Sequence, residues 1–453
     1  MPMPAETARL VEQFASAFGG RRPRWLVRVP GRINLIGEHT DYNGFPAMPM
    51  ALDRTIRLAV APREDGLIEL KDADNVLYPD RQFELEPALP PFAGGDWGNY
   101  VKAAVQSLVG LALEEGRTIE GLKGMSCLVD GDIPAAAGLS SSTALVVASA
   151  LAFCGVNAMA VGRRSLAERM AEAEHYVGTQ GGGMDQAACL LAREGEVLKT
   201  DFFPLRTVRL PFPADHCIVA ADSMVRARKT REQRLDYNRR VLECNIGAQL
   251  LARQMGVPPV KRLAELAPHV EEASTELPDV LLRAFDGRET LSLRRAAGLF
   301  ETDAGRFARQ FLRMKDGRLM PMPGDGLKVF QRCRHVFTEA ERTEQAAECL
   351  RRGDMERLGR LMDESHRSCA RDYEISCYEL DHLVDLMRKA GALGARLTGA
   401  GFGGFAIGLV RRDRQQQVCD ALEREFYAKR GPVGAGHLLV VQPAAGALEE
   451  PLS

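Results

Sequence analysis

Arg32, Glu38, His39 and Asp41 crowd into one turn-rich stretch, GRINLIGEHTDYNGF, from Gly31 to Phe45. No helix or strand period accounts for a guanidinium, two carboxylates and an imidazole placed so closely among Gly31, Gly37 and Gly44. Such a set matches the alternating donors and acceptors of a hydroxyl-rich ligand such as a sugar. Two plainer readings stand beside it: a polar turn that satisfies its own charges, and a metal site. The metal reading wants a tighter ligand set, and His39 has no second histidine at useful spacing.

Three further stretches could do chemistry. In PAAAGLSSSTALVV, Pro134–Val147, Gly138 permits unusual backbone angles, and Leu139, Ser140, Ser141 and Ser142 lead into an apolar run. Free N–H groups at a helix start suit a phosphate, and the hydroxyls can reach a metal held on it. Alone, the same residues read more readily as a plain serine N-cap before a buried helix. No lysine follows the glycine as in a Walker A loop. In QGGGMDQAA the glycines deliver Asp185 to a helix start, where the dipole favours a carboxylate; plain capping is the alternative. In LTGAGFGGFAIG, Leu397–Gly408, Gly399, Gly401, Gly403 and Gly404 allow the main chain to approach a ligand or another loop, or make a tight hairpin. No Rossmann unit with a ribose-binding acid follows, which argues against dinucleotide binding.

The elements that must position these residues follow from the patterning. At 453 residues the chain exceeds one ordinary core, so two domains are expected, divided near residue 205. WLVRVP, IRLAVAP, LIELKD and MSCLVDGDIP read as strands, and NYVKAAVQSLVGLALEEG as an amphipathic helix. ALVVASALAFCGVNAMAV, Ala144–Val161, is nearly long enough to span a bilayer. Its alanines, Ser149, Gly155 and Asn157, and its turn-like lead-in, predict a helix buried between layers instead. A long helical section is expected from Thr230 to Lys389, interrupted by MKDGRLMPMPGDG. Strands then flank the last glycine cluster, a helix and a strand (HLLVVQP) follow, and the tail AAGALEEPLS is expected to be loose.

Composition excludes several function classes. Hydrophobic residues make up 45% and charged residues 26%, and 59 basic against 61 acidic residues leave a formal charge of −2. That balance carries no footprint for nucleic acid or an anionic membrane, so small-molecule partners are expected. The 10 cysteines have no C-x-x-C pair or zinc-like spacing and read as reduced thiols. MPMPAETARLVEQF has no apolar signal core, which makes a cytoplasmic location the default expectation. A monomer is expected, since no coiled-coil repeat is apparent.

The order GRINLIGEHTDY, PAAAGLSSSTA, GGGMDQ, LTGAGFGG resembles the galactokinase family of the GHMP small-molecule kinases. WGNYVKAAVQSL, LDYNRRVLEC and SHRSCARDYEISCYELDHLV also look like family stretches, so the resemblance covers about residues 24–410. YVGTQGGGMDQ looks closest to the branch containing N-acetylgalactosamine kinase, whereas Tyr237 looks more like true galactokinases. The resemblance implies an α+β fold of two GHMP domains. The first, 1–204, would be ribosomal-protein-S5-like; the second, 205–453, ferredoxin-like with helical insertions. It also implies transfer of the ATP γ-phosphoryl group to the anomeric hydroxyl of galactose or a related hexose, with Mg²⁺. By that similarity Asp185 is the general base and Arg32 lies beside it and the transferring phosphate. Glu38, His39, Asp41 and Tyr237 grip the sugar. Pro134, Gly138, Leu139 and Ser140–Ser142 wrap the phosphates, Asp222 and Ser223 lie at the adenine end, and Ser142 with Glu174 holds Mg²⁺. Gly399–Gly404 supports the phosphate loop. A cation beside Asp185 weakens it as a base, which a loose phosphoryl-transfer transition state tolerates. Positioning and charge therefore weigh more than proton removal. Three departures stand out: Thr143 where the family has alanine, Asp222 where asparagine is common, and an early glycine–phenylalanine in DYNGFPAM. A sugar-sensing regulator without turnover is the competing reading, disfavoured by the uninterrupted GLSSST and the presence of both Arg32 and Asp185.

Overall fold

The computed structural model describes residues 4–452 apart from 75, 135–137, 179–180, 226–230, 273–283, 286–289, 315–316, 432–433 and 435. Two sheets organise the chain. The first has six strands in the order β12-β1-β2-β5-β3-β4: β1 (Trp25–Asn34), β2 (Pro49–Arg63), β3 (Leu67–Asp72), β4 (Arg81–Glu84), β5 (Gly124–Gly131) and β12 (Leu448–Pro451). Neighbours are antiparallel except β3 and β5, which run parallel. The second sheet is antiparallel throughout, in the order β11-β8-β10-β9: β8 (His216–Asp222), β9 (Gly394–Leu397), β10 (Phe405–Arg411) and β11 (Leu438–Val441). A hairpin of β6 (Glu196–Asp201) and β7 (Arg206–Pro211) lies between them and crosses the boundary expected near 205.

Helices cover one face of the first sheet. α3 (Ser141–Val156) packs against β1, β2 and α2 (Gly98–Glu114). Every residue from Thr143 to Cys154 is buried, which is why the alanine-rich run carries no polar stripe. Among the described residues, no helix is long and apolar enough to cross a membrane. On the other face, α1 (Ala5–Ala17) lays Leu10 and Phe14 over Leu26, Ala59 and Leu128. Each such side chain, fully withdrawn from water, contributes about 1.5–3 kcal/mol.

The tail is not loose. Leu448–Pro451 pairs with β1 from Trp25 to Arg28 and forms the edge of the first sheet, so the chain's last strand returns to the domain where it began. Val27 and Val29 on β1 are buried, and the edge next to them needed a partner for its open N–H and C=O groups. Helices do dominate the described part of Thr230–Lys389, with α6 (Arg231–Gln254) and later Val329–Arg352, Met355–Ser368 and Tyr378–Lys389. All ten cysteines are free thiols, eight of them buried.

Three local devices aim the site. Between Pro30 and Arg32 the β1–β2 register shifts, a bulge that re-aims Arg32. Gly31 sits at that bulge because an added Cβ would lie 2.7 Å from the Leu139 carbonyl oxygen. α5 (Met184–Leu191) starts from Gly183 at φ 108°, which a side chain would strain. The turn Asp41–Asn43 is closed by Gly44 in the left-handed region.

Candidate active site

β1, the start of α3 and the start of α5 converge on one ion pair. Arg32 Nε donates to Asp185 Oδ1 at 2.6 Å and Nη2 to Oδ2 at 2.7 Å, a fork-to-fork contact between residues 153 positions apart. Arg32 Nη1 donates to the Gly138 carbonyl at 2.7 Å, and Ser140 Oγ donates to Asp185 Oδ2. Burial opposes the charge on Arg32, but Asp185 and Glu38 outweigh it, and the guanidinium pKa is raised. Ser140 itself holds a left-handed backbone (φ 61°), which turns its hydroxyl toward the carboxylate rather than toward its own helix as an N-cap.

The pair opens onto a cavity of about 260 Å³ whose wall includes Glu38, His39, Asp41, Gly138, Ser140–Ser142, Glu174, Asp185 and Tyr237. Asp41 Oδ2 accepts the Gly182 N–H at 2.9 Å. That contact demands glycine, because a Cβ at 182 would lie 2.3 Å from the Asp41 carbonyl carbon. Burial raises the Asp41 pKa, and the charge of Asp185 adds to the effect. Glu38 Oε1 accepts the Gly399 N–H at 2.8 Å and lies 3.5 Å from Arg396 Nη1. Gly399 in turn approaches Gly138 so closely that a Cβ would lie 2.8 Å from its oxygen. The last glycine cluster thus braces the phosphate-loop candidate from one side and the polar loop from the other.

His39 is placed differently from a simple sugar grip. Its Nε2 meets the Ala400 carbonyl at 3.2 Å and its Nδ1 meets Tyr42 Oη at 2.9 Å. A carbonyl only accepts, so Nε2 carries the hydrogen and Tyr42 donates to Nδ1. Tyr42 then accepts from Tyr373 at 2.7 Å, and the Cys244 thiol donates to Tyr373 at 3.2 Å. Burial pushes the His39 pKa down to about 3, so the ring is neutral and its nitrogens hold the loop. It lies 5.3 Å from the Tyr237 ring, which completes that wall.

Other expected residues fall elsewhere. Leu139 is buried, and its carbonyl accepts the Arg32 N–H. Pro134 is half-buried outside the cavity wall, Thr143 is 2% exposed in the helix interior, and 135–137 and 179–180 lie outside the described residues. Asp222 and Ser223 are also outside the wall: Asp222 Oδ1 accepts the Met224 N–H and Ser223 Oγ the Val225 N–H. Ser142 and Glu174 both line the cavity, and Glu174 is 7% exposed. Among the described residues no cluster of three His, Cys, Asp or Glu forms a closed cage. One carboxylate and one hydroxyl fit a hard cation that takes its remaining ligands from phosphates and water, as Mg²⁺ does.

Comparison with known proteins decides the family. Residues 12–62 match the galactokinase galactose-binding signature, 99–193 the GHMP kinase N-terminal domain and 346–429 the GHMP kinase C-terminal domain. The chain is 31% identical to a galactokinase of Dictyostelium discoideum, over 93% of this chain and 87% of that protein. The chain belongs to the galactokinase family. It is also 33% identical to a galactokinase of Chloroflexus aurantiacus, over 94% of each chain. The structure of Lactococcus lactis galactokinase complexed with galactose superposes with a TM-score of 0.78 at 27% identity, covering 98% of this chain and 100% of that one. The mevalonate kinase of L. major (TM-score 0.52, 19% identity) shares the fold. The two sheets described above are therefore the two GHMP domains of an α+β sugar kinase.

Sequence reading missed the layer behind the polar loop. Glu339, on the Val329–Arg352 helix, has no exposed surface. Its Oε1 accepts Gly37 N–H at 3.0 Å and Ser365 Oγ at 2.6 Å and lies 3.8 Å from Arg396 Nη2; its Oε2 accepts Arg342 Nε at 2.8 Å. Burial alone would raise its pKa, but Arg342, Arg396, His335 and Ser365 hold it down at about 2. His335 Nε2 donates to the Glu38 carbonyl at 3.0 Å. An arginine inside the short apolar strand ARL, just before the glycines, was the available signal; Glu339 had none.

These buried imidazoles set an acid limit. Burial lowers His335 to about 4 and His39 to about 3, against about 6.5 in an unfolded chain. The folded state therefore binds fewer protons below about pH 6.5, and its stability falls as pH drops toward about 4. Calorimetric melting across that window is expected to show a steadily falling midpoint; a midpoint that stays level contradicts the neutral assignment.

Proposed function

We propose that this protein transfers the γ-phosphoryl group of ATP to the anomeric hydroxyl of galactose, giving galactose 1-phosphate. The observation that carries the reading is the Arg32–Asp185 fork, joined by Ser140 and Gly138, at the meeting point of the polar loop and the phosphate-loop candidate. Galactose lies against Glu38, Asp41, the His39 ring and Tyr237, with its anomeric hydroxyl on Asp185. The nucleotide phosphates lie along Gly138 and Ser140–Ser142. Ser142 and Glu174 would hold Mg²⁺, which would supply charge stabilisation to the phosphates.

Asp185 already accepts three hydrogen bonds, two of them from a cation. Such a carboxylate is a weak base before the reaction but a rigid one. A loose transition state draws little on the nucleophile early, so Asp185 orients the hydroxyl and takes its proton late, while Arg32 faces the charge spreading over the phosphoryl oxygens. Neighbouring Asp41 acts on the sugar alone. Asp41→Ala is expected to raise the galactose KM by about tenfold or more and leave the ATP KM within about twofold, since hydrogen bonds to a charged group carry about 1.5–3 kcal/mol. Equal changes in both would contradict the placement. The reading as a whole is tested by coupled ADP release with a panel of free monosaccharides, including N-acetylgalactosamine. Galactose is expected to give the highest kcat/KM, and ADP release that no sugar stimulates would overturn it.

A further inference from the structure

The strand that carries Arg32 is covered by β12 only as far as Arg28. From Arg32 to Asn34 it pairs with β2 on its other edge, and among the described residues no strand takes the open one. Residues two apart on a strand turn their N–H and C=O groups to the same edge, so Arg32 and Asn34 face this gap together. Two loops fill it instead. The Arg32 N–H donates to the Leu139 carbonyl at 3.2 Å. The Asn34 N–H donates to Thr398 Oγ1 at 2.9 Å, and that hydroxyl donates back to the Asn34 carbonyl at 3.0 Å, across 364 positions of sequence. Arg396 Nη1 reaches the same carbonyl at 3.3 Å.

One side chain here acts as a paired strand residue does, exchanging both bonds with the residue opposite. Thr398 is 1% exposed and stands outside the cavity wall, so its hydroxyl serves the protein and not a ligand. Its own N–H donates to the Phe405 carbonyl at 3.0 Å, which anchors it to β10 of the second sheet. Two supports of Arg32 meet at this residue. The side chain holds β1 two positions beyond Arg32. The next residue, Gly399, stands against Gly138, whose carbonyl accepts Arg32 Nη1. The contact therefore ties the second domain to the strand of the first that aims the guanidinium. Without the hydroxyl, the buried Asn34 N–H loses its acceptor, while Arg396 still serves the carbonyl.

Resting on the galactose-kinase reading above, we propose that Thr398 is a positioning residue: its hydroxyl completes the open edge of β1 and so holds Arg32 in register with Gly138 and Asp185. In that reading Arg32 meets charge that develops only as the phosphoryl group transfers, so a misaimed guanidinium shows in kcat and not in KM. The test is coupled ADP release with galactose and ATP, beside thermal melts of the full chain. Thr398→Val keeps the shape and removes the hydroxyl, whereas Thr398→Ser keeps the hydroxyl and removes the methyl. Thr398→Val is expected to lower kcat about 10- to 100-fold with both KM values within about threefold, since small misplacements at a reacting centre cost that much. Thr398→Ser is expected to keep kcat within about threefold of the wild type. A Thr398→Val protein with wild-type kcat and only a lowered melting point gives the hydroxyl a structural role alone and overturns the proposal. So does an equal loss in Thr398→Ser, which traces the effect to the methyl, and so does a loss confined to the galactose KM, which places it on the sugar loop. Should Thr398→Val fail to fold, Thr398→Cys replaces it, because a thiol is a weak donor and acceptor without the methyl. Its kcat is then expected at least about fivefold below that of Thr398→Ser, and equality overturns the proposal. A wild-type protein whose ADP release no sugar stimulates overturns the kinase reading itself, a result distinct from all of these.

Discussion

Asp185→Asn is expected to yield a folded protein that binds galactose and nucleotide but turns over on the order of 10³-fold more slowly. An amide has the shape of the carboxylate and half its acceptors. In the native site Oδ1 and Oδ2 receive Arg32 Nε and Nη2, and Oδ2 also receives Ser140. With an amide, one N–H group of Arg32 must face another N–H. Arg32, 5% exposed, then loses the counter-charge that fixes its fork, so both the acceptor for the sugar proton and the aim of the guanidinium are degraded together. Single-turnover kinetics with saturating substrates, beside a thermal melt, check this. Turnover within tenfold of the wild type would remove Asp185 from the reacting centre.

The second large effect is structural and acts on the sugar loop from behind. Glu339→Ala is expected to lower the unfolding free energy by about 3–5 kcal/mol, the usual cost of breaking a buried ion pair. Among the described residues it leaves Arg396, with no exposed surface, only Glu38 as counter-charge, and it strips the Gly37 N–H and Ser365 of their shared acceptor. Because Gly37 and Glu38 begin the loop that carries Asp41, galactose affinity should fall as well, while Glu339→Gln, which keeps an acceptor in place, should do less damage to both. Urea denaturation and galactose titration of the two variants measure this. A Glu339→Ala protein within about 1 kcal/mol of the wild type, little more than an ordinary surface change costs, would show that Arg396 and Glu38 suffice without it.

The chemistry-bearing stretches were legible because each is locally unusual. A bulge needs Gly31, a left-handed helix entry needs Gly183, and a charge cluster in a turn has no packing explanation. The buried helix Ser141–Val156 was legible too, since its apolar surface is continuous and its start is a turn. The buried groups behind the polar loop were not. Glu339 sits in FTEAERTE, where one glutamate looks like the others, and only the packing of its helix against the polar loop singles it out.

By itself, then, the sequence determined the kinds of element, the strained glycine positions, and the order of motifs that marks the family. It did so because backbone angles and side-chain period are properties of neighbouring residues. Tertiary structure alone decided that Arg32 meets Asp185 through both Nε and Nη2, that His39 turns its nitrogens to Tyr42 and Ala400, that Asp222 and Ser223 bond neighbouring amides outside the cavity, and that the final strand closes the first sheet. Each of those outcomes is a pairing between groups whose partner is set by how layers pack and which sheet edge is left open. No local pattern encodes that choice.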